Sequence, residues 1–107
     1  MVDATVVYES TKNRNGNGRL RLTLVGAGDA EALKRGGVGS LRRKRLMRIA
    51  LEAYDQGCPI GYKDLSSLLS TSVSTLKRDV GMIEKQGEVV PLRSRIIRYL
   101  THLLDVH

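Results

Sequence analysis

Hydrophobic and polar positions follow two different periods along this chain. Ala4 to Tyr8 (ATVVY) is rich in β-branched residues and reads as a strand. Arg19 to Leu24 (RLRLTL) alternates strictly, which sets Leu20, Leu22 and Leu24 toward a core and Arg19, Arg21 and Thr23 toward solvent. Thr11 to Gly18 (TKNRNGNG) lies between them with two Asn-Gly pairs, a dipeptide that supplies the positive φ angles of a hairpin turn. The expectation is a β-hairpin. Arg14, Arg19 and Arg21 are read as a solvated strand face in preference to phosphate contacts.

After a flexible Val25-Gly26-Ala27-Gly28 link the period becomes helical. A dinucleotide-binding glycine loop is set aside, because its third glycine is missing and Glu31 follows instead. Asp29 suits the N-cap of a short helix, Ala30 to Arg35, ended by Gly36-Gly37. Ser40 then caps the longest helix, Leu41 to about Gln56. Its Leu46, Ile49, Ala50, Ala53 and Tyr54 share one face. Gly57 ends it, and Pro59 prevents continuation.

Leu65, Leu68 and Leu69 mark a further short helix, with Asp64 placed favourably for the dipole in its first turn. Ser70-Thr71-Ser72 breaks the pattern with turn-forming residues, and Ser72 can cap a following helix by accepting the Thr75 N–H. At 100° per residue from Ser72, Leu76, Val80 and Ile83 fall within about 20–80°, a narrow buried stripe. Ser74, Lys77, Arg78, Gly81 and Lys85 fall at about 140–240°, on the opposite face. This is the pattern of a helix-turn-helix whose second helix, residues 73–86, offers a small hydroxyl, cations and a glycine to a partner. Any helical hairpin with a solvated basic face is the alternative. The Ser cap and the cluster Thr75, Lys77, Arg78 favour the first.

Glu88 to Leu92 (EVVPL) reads as a strand in the place where a wing begins, held to a sheet edge by Pro91. Beyond Arg93, Ile96, Ile97, Leu100, Leu103 and Leu104 keep helical spacing behind Ser94, so a helix is expected there in preference to a returning wing strand. The fold class is therefore α+β: an N-terminal β-hairpin followed by a mostly helical, winged helix-turn-helix domain. The expected divisions are 1–28 for the hairpin and linker, 29–93 for the helix-turn-helix domain and 94–107 for a C-terminal helix or tail.

Charge sharpens this picture. The chain has 107 residues, with 18 basic and 11 acidic, a net charge of +7. Residues 1–40 hold six basic and four acidic side chains (net +2), and residues 41–107 hold twelve and seven (net +5). The excess accompanies the helix-turn-helix and favours a polyanionic partner. Five cations, Arg42, Arg43, Lys44, Arg45 and Arg48, crowd the first half of the longest helix, where they oppose the macrodipole. Arg42, Arg43 and Arg45 are thus candidate phosphate contacts. Relief by Glu52, Glu31 or Asp29 is the internal alternative.

Aromatic residues make up 4% of the chain, all Tyr, which leaves few platforms for stacking recognition of single strands or RNA. The single Cys58 excludes a disulfide framework and a Cys-rich zinc site, and suits a reducing cytoplasm. No apolar run reaches membrane-spanning length, and no signal-peptide layout opens the chain.

The segments RLTL, GDAEALKRGGVGSLRRKRLMRIALEAYDQG and YKDLSSLLSTSVSTLKRDVGMIEKQGEVVPLR resemble a family of uncharacterised domain-of-unknown-function proteins of archaea and bacteria that contain a helix-turn-helix. The resemblance spans about Arg19 to Arg93. DLSSLL followed by STLKRD is also similar to the motif of winged-helix transcription factors, which implies DNA reading by Val73, Ser74, Thr75, Lys77 and Arg78. Two departures stand out. Ser70 occupies the turn position that such motifs fill with Gly. After Arg93 the chain runs into SRIIRYLTHLLDVH instead of a longer continuation with Gly and His, as in a shortened or rearranged member.

The functional expectation is sequence-specific binding of double-stranded DNA by a cytoplasmic transcriptional regulator. Val73, Ser74, Thr75, Lys77 and Arg78 would face the major groove, with Arg42, Arg43 and Arg45 on phosphates. The rivals are an interaction or oligomerisation module of the same fold without DNA binding, and a truncated member of a longer DNA-associated protein. No enzyme is expected, since no catalytic pairing, metal-ligand spacing or phosphate loop is found; Asp64 and Asp79 are read as helix-terminus and surface charges. No cofactor, metal, membrane or small-molecule partner is expected. A homodimer through the C-terminal helix is, with packing of that helix on its own core as the alternative.

Overall fold

The computed structural model describes residues 3–9 and 19–105. Strand β1 (Ala4–Glu9) pairs antiparallel with β2 (Arg19–Val25) in a two-stranded sheet. Tyr8 stands opposite Leu20 and Val6 opposite Leu22, with an irregularity between Ala4 and Thr5. Leu20 and Leu22 are buried, as the alternation requires, and Leu24 packs partly against the core. The expected Asn-Gly turn and Arg14 lie outside the described residues.

A lone hairpin is marginal in water, because its backbone edges stay unpaired. Helix α1 (Asp29–Asp55) covers the open edge of β2 with its side chains. The Gln56 amide, just past its end, accepts from Arg21 N–H at 2.8 Å and donates to Arg21 O at 2.9 Å. Glu52 accepts from Thr23 N–H at 2.7 Å. Arg48 donates to Thr23 O and Leu24 O at 3.1 and 3.2 Å.

Two successive helices were the sequence expectation over this region, and α1 is indeed broken, at Gly37 (φ 77°, ψ −162°). That φ belongs to the region only glycine enters without strain. The break precedes Ser40, which therefore lies inside the second arm and not at its N-cap. Asp29 is not an N-cap either. Gly28 (φ 87°) holds that position, and Asp29 opens the helix as a buried residue whose Oδ2 accepts Gly26 N–H at 3.1 Å.

Helix α2 (Tyr62–Leu69) begins at Gly61, whose N–H donates to Asp64 Oδ2 at 3.1 Å. Helix α3 (Val73–Lys85) follows after Ser70, Thr71 and Ser72. Ser72 caps it as expected, accepting from Thr75 N–H at 3.3 Å. Ser70 adopts the left-handed conformation (φ 51°, ψ 47°), so the position that commonly carries glycine keeps glycine's geometry with a serine. The turn is tied by Ser66 Oγ donating to Thr71 O at 2.6 Å and Thr71 Oγ1 donating to Leu69 O at 3.0 Å.

The core joins these elements. Leu46, Ile49, Ala50 and Ala53 of α1 meet Leu65 of α2, Leu76, Val80 and Ile83 of α3, and Leu20 and Leu22 of β2. All are nearly or fully excluded from solvent, so the helical and strand periods were both read with the correct inward faces.

The expected strand at Glu88 to Leu92 does not form. Val90, Pro91 and Leu92 are all buried, while a strand would point alternate residues outward. Leu92 N–H donates to Val90 O at 2.8 Å around Pro91, which has no N–H for a ladder, and Arg93 N–H goes to Ile60 O at 2.8 Å. No wing hairpin is present among the described residues. The chain instead passes through a 3-10 turn (Arg93–Arg95) into helix α4 (Ile96–Asp105), as the spacing of its apolar residues predicts. The fold is α+β, an antiparallel hairpin followed by a mostly helical body. No helix among the described residues is long and apolar enough to cross a membrane.

Candidate nucleic-acid interface

Helix α3 turns two chemically distinct faces in opposite directions. Leu76, Val80 and Ile83 fix it to the core. Ser74, Lys77, Arg78 and Lys85 are exposed on the other side. Among the described residues, Lys77 and Arg78 enter no ion pair. Lys77 Nζ stands 5.7 Å from the centre of the Tyr62 ring, so its charge is steadied without being neutralised. Val73 and Thr75 are half-buried. The Thr75 hydroxyl accepts from Ser72 Oγ at 3.0 Å, which ties it to the cap.

Gly81 lies on the outward side of this helix. A Cβ placed there would meet nothing within 4 Å, so no contact inside the fold calls for glycine. Helix-interior glycine costs about 1 kcal/mol relative to alanine. The position thus carries a stability cost that internal packing does not explain.

The cations of α1 behave differently from those of α3. Asp79 sits on α3 but faces inward and is 2% exposed, so it is not the surface charge expected from the sequence. Arg42 binds both its oxygens, through Nε to Oδ2 and through Nη2 to Oδ1 at 3.1 Å, and Arg43 Nη1 adds a contact to Oδ1 at 3.4 Å. Arg45 and Arg48 converge on the buried Asp29, at 3.1 and 2.7 Å. Arg48 is foremost in holding the Asp29 carboxyl well below the usual carboxylate range; the Gly26 N–H and Arg45 assist, against the opposing effect of burial. Arg42, Arg43 and Arg45, named from the sequence as phosphate contacts, are thus engaged with internal carboxylates. The physical reason is that both aspartates are buried and each requires compensation.

A second basic surface adjoins α3. A pocket of about 320 Å³ is lined by Gly61, Tyr62, Lys63, Asp64, Val73, Lys77 and Arg93. It gathers three cations from α2, α3 and the turn after the core segment. Arg93 is partly balanced by Asp64 at 3.5 Å, and Asp64 also accepts from Tyr8 OH at 2.6 Å. Burial, and then that bond to Asp64, push the Tyr8 phenol up to about 12. Lys63 was legible as a first-turn cation opposing the α2 dipole, the same signal that drew attention to α1. Nothing local marked Arg93, which reaches the pocket only because the 88–92 segment folds inward.

A family model described as "Protein of unknown function (DUF1670)" matches residues 9–99. The chain belongs to this family. No curated protein and no solved structure matches it. Membership in DUF1670 assigns no activity. Among its described residues no group of three or more His, Cys, Asp or Glu is arranged to hold a metal ion.

Proposed function

We propose that this protein binds double-stranded DNA site-specifically and acts as a transcriptional regulator, with α2 and α3 serving as a helix-turn-helix and α3 as the recognition helix. The observation that carries this reading is the outward face of α3. It combines exposed Ser74, Lys77 and Arg78 with a glycine that nothing inside the fold requires. A major groove admits a helix of this kind, and an Arg or Lys side chain can reach guanine O6 and N7. Gly81 lets the duplex approach the helix backbone. Lys63 and Arg93, beside the N-terminus of α2, supply phosphate contacts, a role that the balanced Arg42, Arg43 and Arg45 fill less readily.

Fluorescence anisotropy on duplexes selected from a randomised library tests the proposal. Lys77→Ala/Arg78→Ala should lower affinity for the selected site by roughly 10–100-fold and relax its sequence preference. Gly81→Ala should stabilise the fold by about 1 kcal/mol while weakening the complex. Unchanged affinity and selectivity in the double variant would refute the assignment.

A further inference from the structure

Among the described residues, helix α4 carries the two most exposed large apolar side chains. Ile97 is 82% exposed, Leu104 72%, and Leu100 and Leu103 43% each, and no residue of the helix is buried. Its inward side is held by Tyr99, edge-on to Tyr54 at 5.0 Å, and the 3-10 turn before it is held by Arg95, which meets Glu84 at 3.3 Å. Stepping 100° per residue from Ile97 places Leu104 and Leu100 at about 340° and 300°, and Tyr99 at about 200°. The apolar face thus points away from the body. Contiguous exposed apolar surface of this kind marks a docking site.

The charges beside the stripe identify its occupant. Thr101, Asp105 and Arg98 fall at about 40°, 80° and 100°, all along one flank. When two identical helices pair antiparallel about a two-fold axis, each flank meets the same flank of the other copy. In the register that sets Ile97 against the second copy's Leu104, Arg98 lies about 3 Å along the axis from the second copy's Asp105, within reach of its side chain. The two-fold axis repeats both contacts. Arg98 is 60% exposed; it donates to Glu84 at 3.3 Å within its own chain, a contact it would exchange for the second copy's Asp105. The groove along this flank is lined by Glu84, Glu88 and Asp105 together with Arg98 and His102, so both signs of charge that the pairing uses stand on it. We propose that α4 is a self-complementary interface on which a second copy of this chain docks antiparallel, Ile97 against Leu104 and Arg98 against Asp105. The pairing stands on α4 alone and holds whether or not α3 reads DNA.

One short helix face is smaller than a standard interface, so the dimer should dissociate at tens of micromolar, roughly. Sedimentation equilibrium on the full chain from about 5 to about 500 µM measures this. Arg98→Asp and Asp105→Arg each place like charges across the interface and should weaken self-association about tenfold or more. An equimolar mixture of these two variants restores both opposite-charge contacts and should dimerise as the wild type does. Ile97→Asp should leave a monomer with or without either change. Both charged positions lie outside the core, so the variants retain the fold. A wild-type monomer throughout the range overturns the proposal. So do single variants that associate normally, or a mixture that stays as weak as its components.

Discussion

The first half of α1's long arm and the outward face of α3 look alike as lists of basic residues, yet the fold uses them in opposite ways. Arg42, Arg43, Arg45 and Arg48 surround two buried carboxylates, Asp79 and Asp29, with side chains only 20–29% exposed. Lys77 and Arg78 are exposed and unpaired among the described residues. The difference teaches that a cluster of cations reports a field only after its internal anions are known. Buried charge attracts compensation from its surroundings, because leaving it unpaired costs several kcal/mol. What remains outside is the part available to a partner.

The strongest way to break this comparison is at neighbouring positions 78 and 79. Asp79→Asn strips the compensation from Arg42 and Arg43 and should lower unfolding free energy by about 3 kcal/mol in urea titration. Arg78→Ala, one residue earlier but outward, should change it by less than about 0.5 kcal/mol. Equal effects would show that Asp79 holds nothing together.

Acid titration probes the other aspartate. Asp29 is held below its ordinary value of 3.8, so its ion pairs stabilise the fold fully above that pH and are lost as pH falls below it. Wild type should therefore shed about 2 kcal/mol more than Asp29→Asn between neutral pH and the low-acid limit, once the variant's lower baseline is subtracted. Parallel acid limbs in the two proteins would contradict the assignment.

The smallest expected effects concern the turn that presents α3. Ser70→Gly relieves a left-handed serine and should raise stability by about 0.5 kcal/mol, after the added entropy of the unfolded chain. Ser72→Ala should lower it by about 1 kcal/mol through loss of the cap. Chemical denaturation of both, read beside duplex affinity, separates a turn that merely folds from one that aims the recognition helix.

Much of the architecture was legible because it depends on local periods. Leu20 and Leu22 alternate, and Leu46, Ile49, Ala50 and Ala53 recur at helical spacing; both sets lie in the core. The Ser72 cap and the helical tail follow from chemistry within a few residues. The strand assigned to Glu88–Leu92 failed for a reason no local pattern carries. Val90, Pro91 and Leu92 are all drawn inward, and Ile60, far away in sequence, takes the Arg93 N–H. The candidate site was legible in part. The exposed set on α3 could be read from the angle each residue makes with the buried stripe. Asp79, on the same helix, was misread as a surface charge, since only a partner from α1 makes its burial tolerable.

Sequence alone determined the two-stranded hairpin, the succession of helices and the inward stripes of α1 and α3, because period, cap and turn chemistry act over a handful of neighbours. Tertiary structure alone decided which charges remain outside. Arg42 and Asp79 are 37 residues apart, and Arg48 and Asp29 are 19 apart. Electrostatic compensation acts through space at a few ångströms, so it is settled only when the chain has brought these distant groups together.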